Sequence, residues 1–189
     1  MLSRQPTELD YADPTKFKFG ITQLPKVEFF TVAANLPAVS LGESTYSTPF
    51  KEISLQGDQM TFENLEITFL VDEKLENYIE LHNWMVGIGF PKARTQFESF
   101  RSSNTSFPTG TPVKGESTKP GSGVADTAMY GDATLTVTSS KNNPVVEVRF
   151  ADVYPTSLSG LQYNQQESDI TYLTATCTFA YKIYEIFTL

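Results

Sequence analysis

The segment DITYLTATCTFAYKIYEIF, residues 169–187, decides the fold class of this chain. Successive side chains of a β-strand point to opposite faces. One alternating set is apolar and comprises Leu173, Ala175, Cys177, Phe179, Tyr181 and Ile183. The other set is mostly polar and comprises Tyr172, Thr174, Thr176, Thr178 and Lys182. We therefore predict one long strand at the end of the chain, with its apolar face in the core.

Similar patterns elsewhere predict a mainly β protein. Residues 60–71 are the clearest case, because Leu65, Ile67, Phe69 and Val71 alternate with polar side chains. Shorter apolar or alternating segments predict strands at residues 16–25, 27–34, 51–55, 133–138 and 145–151. Residues 39–50 are expected to form an extended loop or an edge hairpin, Gly57-Asp58 a turn, and residues 154–166 a connection.

A change of period after Asp72 predicts one amphipathic helix over about residues 72–87. Asp72 is a suitable N-cap, and Gly87, Gly89 and Pro91 end the pattern. The predicted core-facing stripe is Leu75, Tyr78, Ile79, His82, Met85 and Val86. Another side of the helix carries Leu81, Trp84 and Ile88. Either an adjacent loop or a second subunit covers this extra apolar surface, and we favour the subunit.

The order of elements, with strands before and after one helix, indicates a β-sandwich or open barrel with a single flanking helix. The length of 189 residues suits one domain, residues 1–189. Residues 92–127 are rich in serine, threonine, glycine and proline and predict a long polar loop. The loop carries more basic than acidic residues, Arg94 and Arg101 among them. It is either a solvated insertion or an arm that contacts an acidic neighbour.

Composition and charge exclude several classes of function. The formal net charge is −8, which disfavours general nucleic-acid binding. The single cysteine, Cys177, excludes a disulfide within the chain and a cysteine-based metal site. No apolar run is long enough to span a bilayer, and the amino terminus lacks the apolar core of a signal peptide, so we expect no membrane anchor.

A search for catalytic patterns favours a protein that is not an enzyme. His82 is the only histidine, and no nucleophile elbow, P-loop or dinucleotide fingerprint is present. The acidic residues between Asp58 and Glu80 are explained by solvation and by the helix dipole. We therefore predict no catalytic residues, no cofactor and no metal.

The landmarks along the chain form an ordered set. They are Leu36-Pro37-Ala38, Gly57-Asp58, Thr61-Phe62-Glu63, Asp72-Glu73, Trp84, Tyr154-Pro155-Thr156, Leu161 and the terminal threonine-rich strand. In this order the chain resembles the tail tube proteins of contractile-tailed, T4-like bacteriophages and their relatives at the start of the tube. The departures from that pattern are the long insertion at residues 92–127 and the segment 41–49.

The resemblance implies a tail-tube-type sandwich that joins six copies in a ring. Such rings stack into a hollow tail tube in the virion, through which DNA passes into the host without specific binding. The implied partners are further copies of the chain, tail sheath proteins and baseplate proteins, with assembly in the host cytoplasm.

A tube wall that lets DNA slide should be acidic or neutral, because a basic wall would hold phosphate. The candidate lumen-facing residues come from polar strand faces and are Glu66, Thr68, Glu147, Thr174, Thr176 and Thr178. The candidate inter-subunit contacts are Leu81, Trp84, Ile88, Arg94 and Arg101.

Two alternatives remain open at this point. One is a related role at an end of the tube, either as the baseplate tube initiator or as a tube-end ring. The other belongs to a different class, a β-sandwich module that binds a glycan or a host surface through the loop at residues 92–127.

Overall fold

A computed structural model of the chain describes residues 11–21, 24–96, 130–165 and 171–189. The described residues form β1 (Phe17–Ile21), α1 (Pro25–Phe29), β2 (Thr31–Ala34), β3 (Val39–Ser47), β4 (Glu52–Phe62), β5 (Leu65–Leu70), α2 (Glu76–Gly89), β6 (Gly131–Thr138), β7 (Pro144–Leu158), β8 (Thr174–Ala180) and β9 (Ile183–Thr188). The predicted mainly β class is confirmed.

The strand β7 joins two antiparallel sheets. Its first part pairs with β6 on one side and with β9 on the other, and these strands together with β1 make the first sheet. Its last part, residues 154–158, pairs with β8, which continues through β5 to β2 and makes the second sheet. Asp152 adopts a left-handed conformation with φ of 55° just before the change of partner. Such a residue bends a strand and lets it pass from one sheet to the other.

The core lies between the two sheets and under α2. Phe19 and Phe150 reach it from the first sheet, Ile67 and Phe179 from the second, and Trp84 from the helix. All five side chains are buried. The predicted alternation is confirmed from Leu173 to Phe179, because Ala175, Cys177 and Phe179 are buried while the threonines between them are partly exposed.

The prediction of one long terminal strand was wrong. Residues 169 and 170 lie outside the described part of the chain, and the rest divides into β8 and β9, which belong to different sheets. At the break, the Lys182 amide donates to the Ala151 carbonyl over 3.0 Å, and the Tyr181 hydroxyl donates to the Glu63 carbonyl over 2.7 Å. Ile183, assigned to the core face, is 45% exposed. Alternation reports only the face of a strand, so it did not reveal the change of sheet.

The helix α2 begins four residues later than predicted, and Asp72 does not cap it. The Asn77 side chain instead organises this corner from inside. Its Oδ1 accepts hydrogen bonds from the amides of Asp72 and Tyr78, and its Nδ2 donates to the Leu70 carbonyl over 2.7 Å. Leu75, at φ 57°, turns the chain into the helix. A buried amide with these partners connects the end of β5 to the start of α2.

The predicted buried face of the helix was also wrong. The residues of α2 that are buried are Asn77, Leu81, Trp84 and Gly87, whereas Ile79 is 47% exposed and His82 is exposed. Both sides of the helix are apolar, so periodicity alone did not distinguish them. The Trp84 ring meets Phe179 with centroids 6.3 Å apart, and this contact with β8 decides which side turns inward.

Other boundaries also differ from the predictions. Residues 25–29 form a short helix rather than the start of a strand. The strand β7 extends to Leu158 and so includes residues 154–158, the first part of the predicted connection. The predicted turn at Gly57-Asp58 lies inside β4. The strand predicted over residues 60–71 is divided, because residues 60–62 are the end of β4 and residues 65–70 form β5. Residues 39–47 are the first strand of a hairpin, so the hairpin alternative is confirmed there. Most of the predicted loop at residues 92–127 lies outside the described residues.

Candidate assembly and lumen surfaces

A threonine-rich surface covers the outer face of the second sheet. Thr68 lies opposite Thr176 on the paired strands β5 and β8, and Glu66 lies opposite Thr178. The hydroxyls of Thr68 and Thr176 are hydrogen-bonded over 3.0 Å. Thr174 follows on the same face. The structure therefore brings together five of the six candidate lumen residues, which we call the threonine face (Glu66, Thr68, Thr174, Thr176 and Thr178).

The electrostatic character of the threonine face follows from its strands. The segments that build the second sheet, residues 31–34, 65–70, 154–158 and 174–180, contain no lysine and no arginine. Their only carboxylate is that of the exposed Glu66. A surface of hydroxyl groups with one acidic group offers no cation to a phosphate backbone.

Glu147 lies apart from the threonine face. It belongs to the first sheet and forms an ion pair with Arg149, whose Nη2 is 2.8 Å from Glu147 Oε2. The hydrogen bond from Arg149 lowers the pKa of the Glu147 carboxyl. The Arg149 guanidinium also stacks on the Phe187 ring at 4.7 Å from its centroid. Glu147 is therefore engaged on a different surface from the other five candidates.

The hairpin of β3 and β4 projects from the body. The two strands pair only with each other among the described residues, and every strand residue except Gly57 is exposed. Phe62 anchors the base of the hairpin through an edge-on contact with Tyr184, at 5.5 Å between ring centroids. The outer half carries large apolar side chains on its surface, namely Tyr46, Phe50, Ile53 and Leu55.

An apolar groove lies at the opposite end of the second sheet, where β5 ends and β8 begins. We call it the β5–α2 groove. Phe30, Leu70, Leu75 and Leu173 line it, and its volume is about 560 Å³. Asp72 and Glu73 also line it. Sequence reasoning found neither this groove nor the apolar hairpin tip. The tip could have been found from the sequence, since apolar residues recur through residues 39–62. The groove could not, because it forms only where four separate segments of the chain meet.

The candidate inter-subunit residues fall in different places. Leu81 and Trp84 are buried in the core, so their side chains offer no surface to a second subunit. The prediction that Leu81 and Trp84 contact a second subunit is therefore replaced by a role in the core of the subunit. Ile88 is half-buried against the same core, and Arg94 is exposed. Arg101 lies outside the described residues.

Lys26 and Cys177 have structural roles. Lys26 on α1 contacts Glu76 at 2.7 Å and Glu80 at 3.0 Å on α2, and these hydrogen bonds raise the pKa of Lys26 to about 12. Burial raises the pKa of the Cys177 thiol to about 12. Within the described ranges, no group of three histidine, cysteine or acidic side chains is placed to hold a metal ion. In the same ranges, no helix is both long and apolar enough to cross a membrane.

Solved structures share this fold. One is the cryo-EM structure of the anti-feeding prophage cap (AFP tube terminating cap), at 11% identity, with 100% of this chain and 99% of that chain covered and a TM-score of 0.55. Another is the PVC sheath/tube terminator of an extracellular contractile injection system, at 12% identity, with coverage of 95% and 99% and a TM-score of 0.53. A third is the anti-feeding prophage baseplate, at 10% identity, with coverage of 95% and 97% and a TM-score of 0.51.

The sequence itself identifies the family. No curated protein matches the chain. A protein family described as phage tail tube protein matches residues 7–187, which is nearly the whole sequence. The chain belongs to the phage tail tube protein family and is a structural component of a phage-like tail tube, not an enzyme.

Proposed function

We propose that the chain acts as a single tail-tube domain, of which six copies form a ring. The rings stack into a hollow tube through which phage DNA passes into the host. The observation that carries this proposal is the projecting hairpin, because Phe50 at its turn is 99% exposed and Tyr46, Ile53 and Leu55 also meet solvent in the isolated chain. Apolar surface of this extent is typical of a protein that is buried against partners.

The seams of the ring are edge strands. Among the described residues, β1, β2 and β9 each pair on one side only. An unpaired strand edge invites pairing with another chain, and closure of a ring satisfies every such edge. The terminal strand β9 is the best candidate for a seam, since Ile186 on it is 55% exposed and Phe187 is also exposed.

The threonine face lines the bore in this proposal. Its hydroxyl groups and the Glu66 carboxylate would not bind the DNA phosphates and would not displace their counterions. The polymer would therefore slide without specific binding. At physiological salt, electrostatic interactions are screened beyond about 8 Å, a distance that is still relevant in a narrow channel.

The proposed partners are a sheath around the tube and a baseplate at its end. Chains with this fold occur in a sheath/tube terminator and in a baseplate of contractile injection systems. The particle would be assembled in the host cytoplasm, without a membrane anchor, and the protein would reside in the virion tail.

Negative-stain electron microscopy of the purified protein tests this function. We expect rings of six copies and, at high concentration or on a baseplate, tubes of stacked rings. Analytical ultracentrifugation that finds only monomers at every concentration, including with baseplate proteins present, would contradict the proposal.

A second candidate is a ring at one end of the tube, either the initiator or the terminator. It draws on the occurrence of this fold in a tube-terminating cap and in a baseplate. The same microscopy separates the two roles. A main tube subunit extends into tubes of variable length, whereas an end ring stops at one or two layers and binds one end of a tube made by another protein.

A further inference from the structure

We propose that Tyr181 and Tyr184 hold the base of the β3–β4 hairpin, fix the direction in which it projects and make that direction depend on the terminal strand β9. We call this pair the tyrosine latch. Its members are positioning residues, because they act through the hairpin. The inference rests on the proposed function, in which the hairpin is buried against partners and β9 forms the seam of a ring.

The two tyrosines lie on either side of the break in the terminal segment. Tyr181 follows the last residue of β8, and Tyr184 is the second residue of β9. On β8, Phe179 lies opposite Leu65, the first residue of β5, so Tyr181 extends past the start of β5. On β9, Tyr184 lies opposite Phe150 of the first sheet. The change of sheet therefore places both phenol rings beside the base of the hairpin.

Each hydroxyl of the tyrosine latch binds a different leg of the hairpin. The Tyr184 hydroxyl donates to the Pro37 carbonyl over 3.3 Å, on the leg that leaves the body. The Tyr181 hydroxyl donates to the Glu63 carbonyl over 2.7 Å, on the leg that returns. Pro37 is buried and has no amide hydrogen, so its carbonyl is the one main-chain group that it offers to a hydrogen bond. Both legs are therefore held through the main chain.

Aromatic packing holds the tyrosine latch in position. The ring centroids of Tyr181 and Tyr184 are 5.9 Å apart, and the buried Phe150 ring lies 5.2 Å from the first and 5.6 Å from the second. The Phe62 ring, at the end of β4, meets Tyr184 edge-on at 5.5 Å. Rings packed in this way have little rotational freedom, so the core fixes the positions of the two hydroxyls.

The other bonds at the base join one leg to the other. The Glu63 amide donates to the Ala38 carbonyl over 3.0 Å, and the Asn35 side-chain amide donates to the Asn64 carbonyl over 3.2 Å. Among the described residues, the strands β3 and β4 pair only with each other. Bonds from leg to leg allow the closed hairpin to swing as a unit about its base. The tyrosine hydroxyls come from a separate segment of the chain and oppose that rotation.

Small rotations at the base have large effects because the hairpin is long. The nine residues of β3 span about 30 Å. A rotation of about 5° at the base would therefore displace the turn at residues 48–51 by about 3 Å. Close-packed contacts do not tolerate a displacement of this size. The direction of the hairpin thus decides whether its apolar surface fits a partner.

The tyrosine latch also links the hairpin to β9. This strand pairs with β7 along one edge, and within the described residues its other edge is unpaired. Ile183 and Ile186, on either side of Tyr184, are 45% and 55% exposed. A terminal strand with one neighbour opens more easily than a strand inside a sheet. Pairing of β9 with another copy would hold Tyr184 in place, so closure of the ring would also set the hairpin.

The distance between two spin labels measures the direction of the hairpin. We would attach the labels at Lys51→Cys, in the turn of the hairpin, and at Lys141→Cys, in the turn between β6 and β7. Single chains are diluted with unlabelled protein, so that only distances within one chain are recorded. Cys177 is fully buried and takes no label. We expect pulsed electron paramagnetic resonance to give one narrow distance distribution.

Loss of the two hydroxyls should broaden that distribution. In the double variant Tyr181→Phe with Tyr184→Phe, we expect its width to increase at least twofold. Tyr78→Phe is the matched control, because it also loses a hydroxyl bond to a main-chain carbonyl, that of Ser159, away from the hairpin. Its width should match that of the parent chain. All widths are measured well below the melting temperature of each variant, so a loss of stability alone does not change them.

Ile186→Gly tests the dependence on β9, because glycine weakens the strand and leaves both hydroxyls in place. We expect it to broaden the distribution as well. Lys18→Gly, on the strand β1 at the other edge of the first sheet, should leave the width unchanged. In assembly, the double tyrosine variant should need about tenfold more protein than the parent chain, since only a fraction of its hairpins point correctly.

The outcomes separate the tyrosine latch from the tube function. Equal widths in the parent chain and the double tyrosine variant would overturn the latch. Broadening in that variant, without broadening in Ile186→Gly, would overturn the dependence on β9. Both measurements are made on single chains, so their results do not depend on ring formation. Failure of the parent chain to form any ring or tube would instead contradict the proposed function.

Discussion

Trp84 shows most clearly how one side chain can be assigned to the wrong environment. It is 2% exposed and meets Phe179 in the core, although its position on the helix suggested a contact between subunits. The large ring links α2 to β8. Its removal should therefore damage the subunit before it affects assembly.

We expect Trp84→Ala to reduce the free energy of unfolding by about 3–5 kcal/mol, because it leaves a large cavity in the core. Urea denaturation of the monomeric protein measures the loss. Ile79→Ala, on the exposed side of the same helix, should change the stability by less than about 0.5 kcal/mol. If the Trp84→Ala monomer were folded and of normal stability but failed to assemble, Trp84 would instead act as a contact between subunits.

Two ionisable groups, the buried thiol of Cys177 and the partly buried hydroxyl of Tyr181, give the stability of the protein an alkaline limit. Burial raises the pKa of Cys177 from 9.0 to about 12 and that of Tyr181 from 10.0 to about 12. The folded state therefore keeps both protons at a pH at which the unfolded chain loses them. Since stability falls with pH wherever the folded state binds more protons, these two groups reduce it from about pH 9 upward.

Urea denaturation between pH 8 and pH 11 should show this decline, with little contribution from these two groups below pH 9. Cys177→Ala should be less stable at pH 8 and should lose less stability between pH 8 and pH 11 than the parent chain does. Equal slopes for the two proteins would show that the Cys177 thiol does not titrate as its burial requires.

At the scale of the element, the hairpin depends on a close approach between two glycines. The register of β3 and β4 shifts next to Gly42, and a side chain at Gly57 would collide with the Gly42 carbonyl group. Only glycine lets the two backbones come so close at this irregularity. The projection that the proposed stacking requires is therefore sensitive to one methyl group.

We expect Gly57→Ala to separate the strands at this point, increase hydrogen exchange of the amides of residues 43–56 by at least tenfold and prevent tube formation. The melting temperature of the body should change little, because the hairpin contributes no residue to the buried core. Gly160→Ala is the matched control, since nothing lies within 4 Å of its added carbon. Unaltered exchange in Gly57→Ala would contradict the proposed role of the close approach.

At the scale of the whole molecule, the two sheets offer two very different outer faces. The second sheet presents the threonine face, while the first presents Lys18, Glu147 and Arg149 with their ion pairs. A tube built from this chain has to turn one of the faces toward the bore. The absence of basic residues from the strands of the second sheet favours the threonine face.

We expect Thr176→Lys to assemble into tubes but to slow DNA ejection by about tenfold, because each ring would add a set of cations to the wall. Dye-based ejection assays on reconstituted particles measure the rate, and the effect should weaken as salt increases. Thr134→Lys, on the outer face of the first sheet, should leave the rate unchanged. Slower ejection in Thr134→Lys alone would place the first sheet at the bore.

Four features could be predicted from the amino-acid pattern alone: the mainly β class, the inward face of residues 173–179, the lack of a known catalytic motif and the landmarks of the family. These features are local, because a period of two residues and a short motif are read from neighbouring positions. The amino-acid pattern also placed Glu66, Thr68, Glu147 and the three threonines of β8 on polar strand faces, as candidates to line the lumen.

The way in which these segments pack together depends on the folded structure. It divided the terminal segment at Tyr181 because β8 and β9 pair with different parts of β7. It buried Leu81 and Trp84 in the core, where the Trp84 ring packs against Phe179. It also formed the groove from residues far apart in the chain. In each case, the free energy of folding depends on which distant part of the chain covers an apolar side chain. The periodicity of apolar residues within one segment does not contain that information.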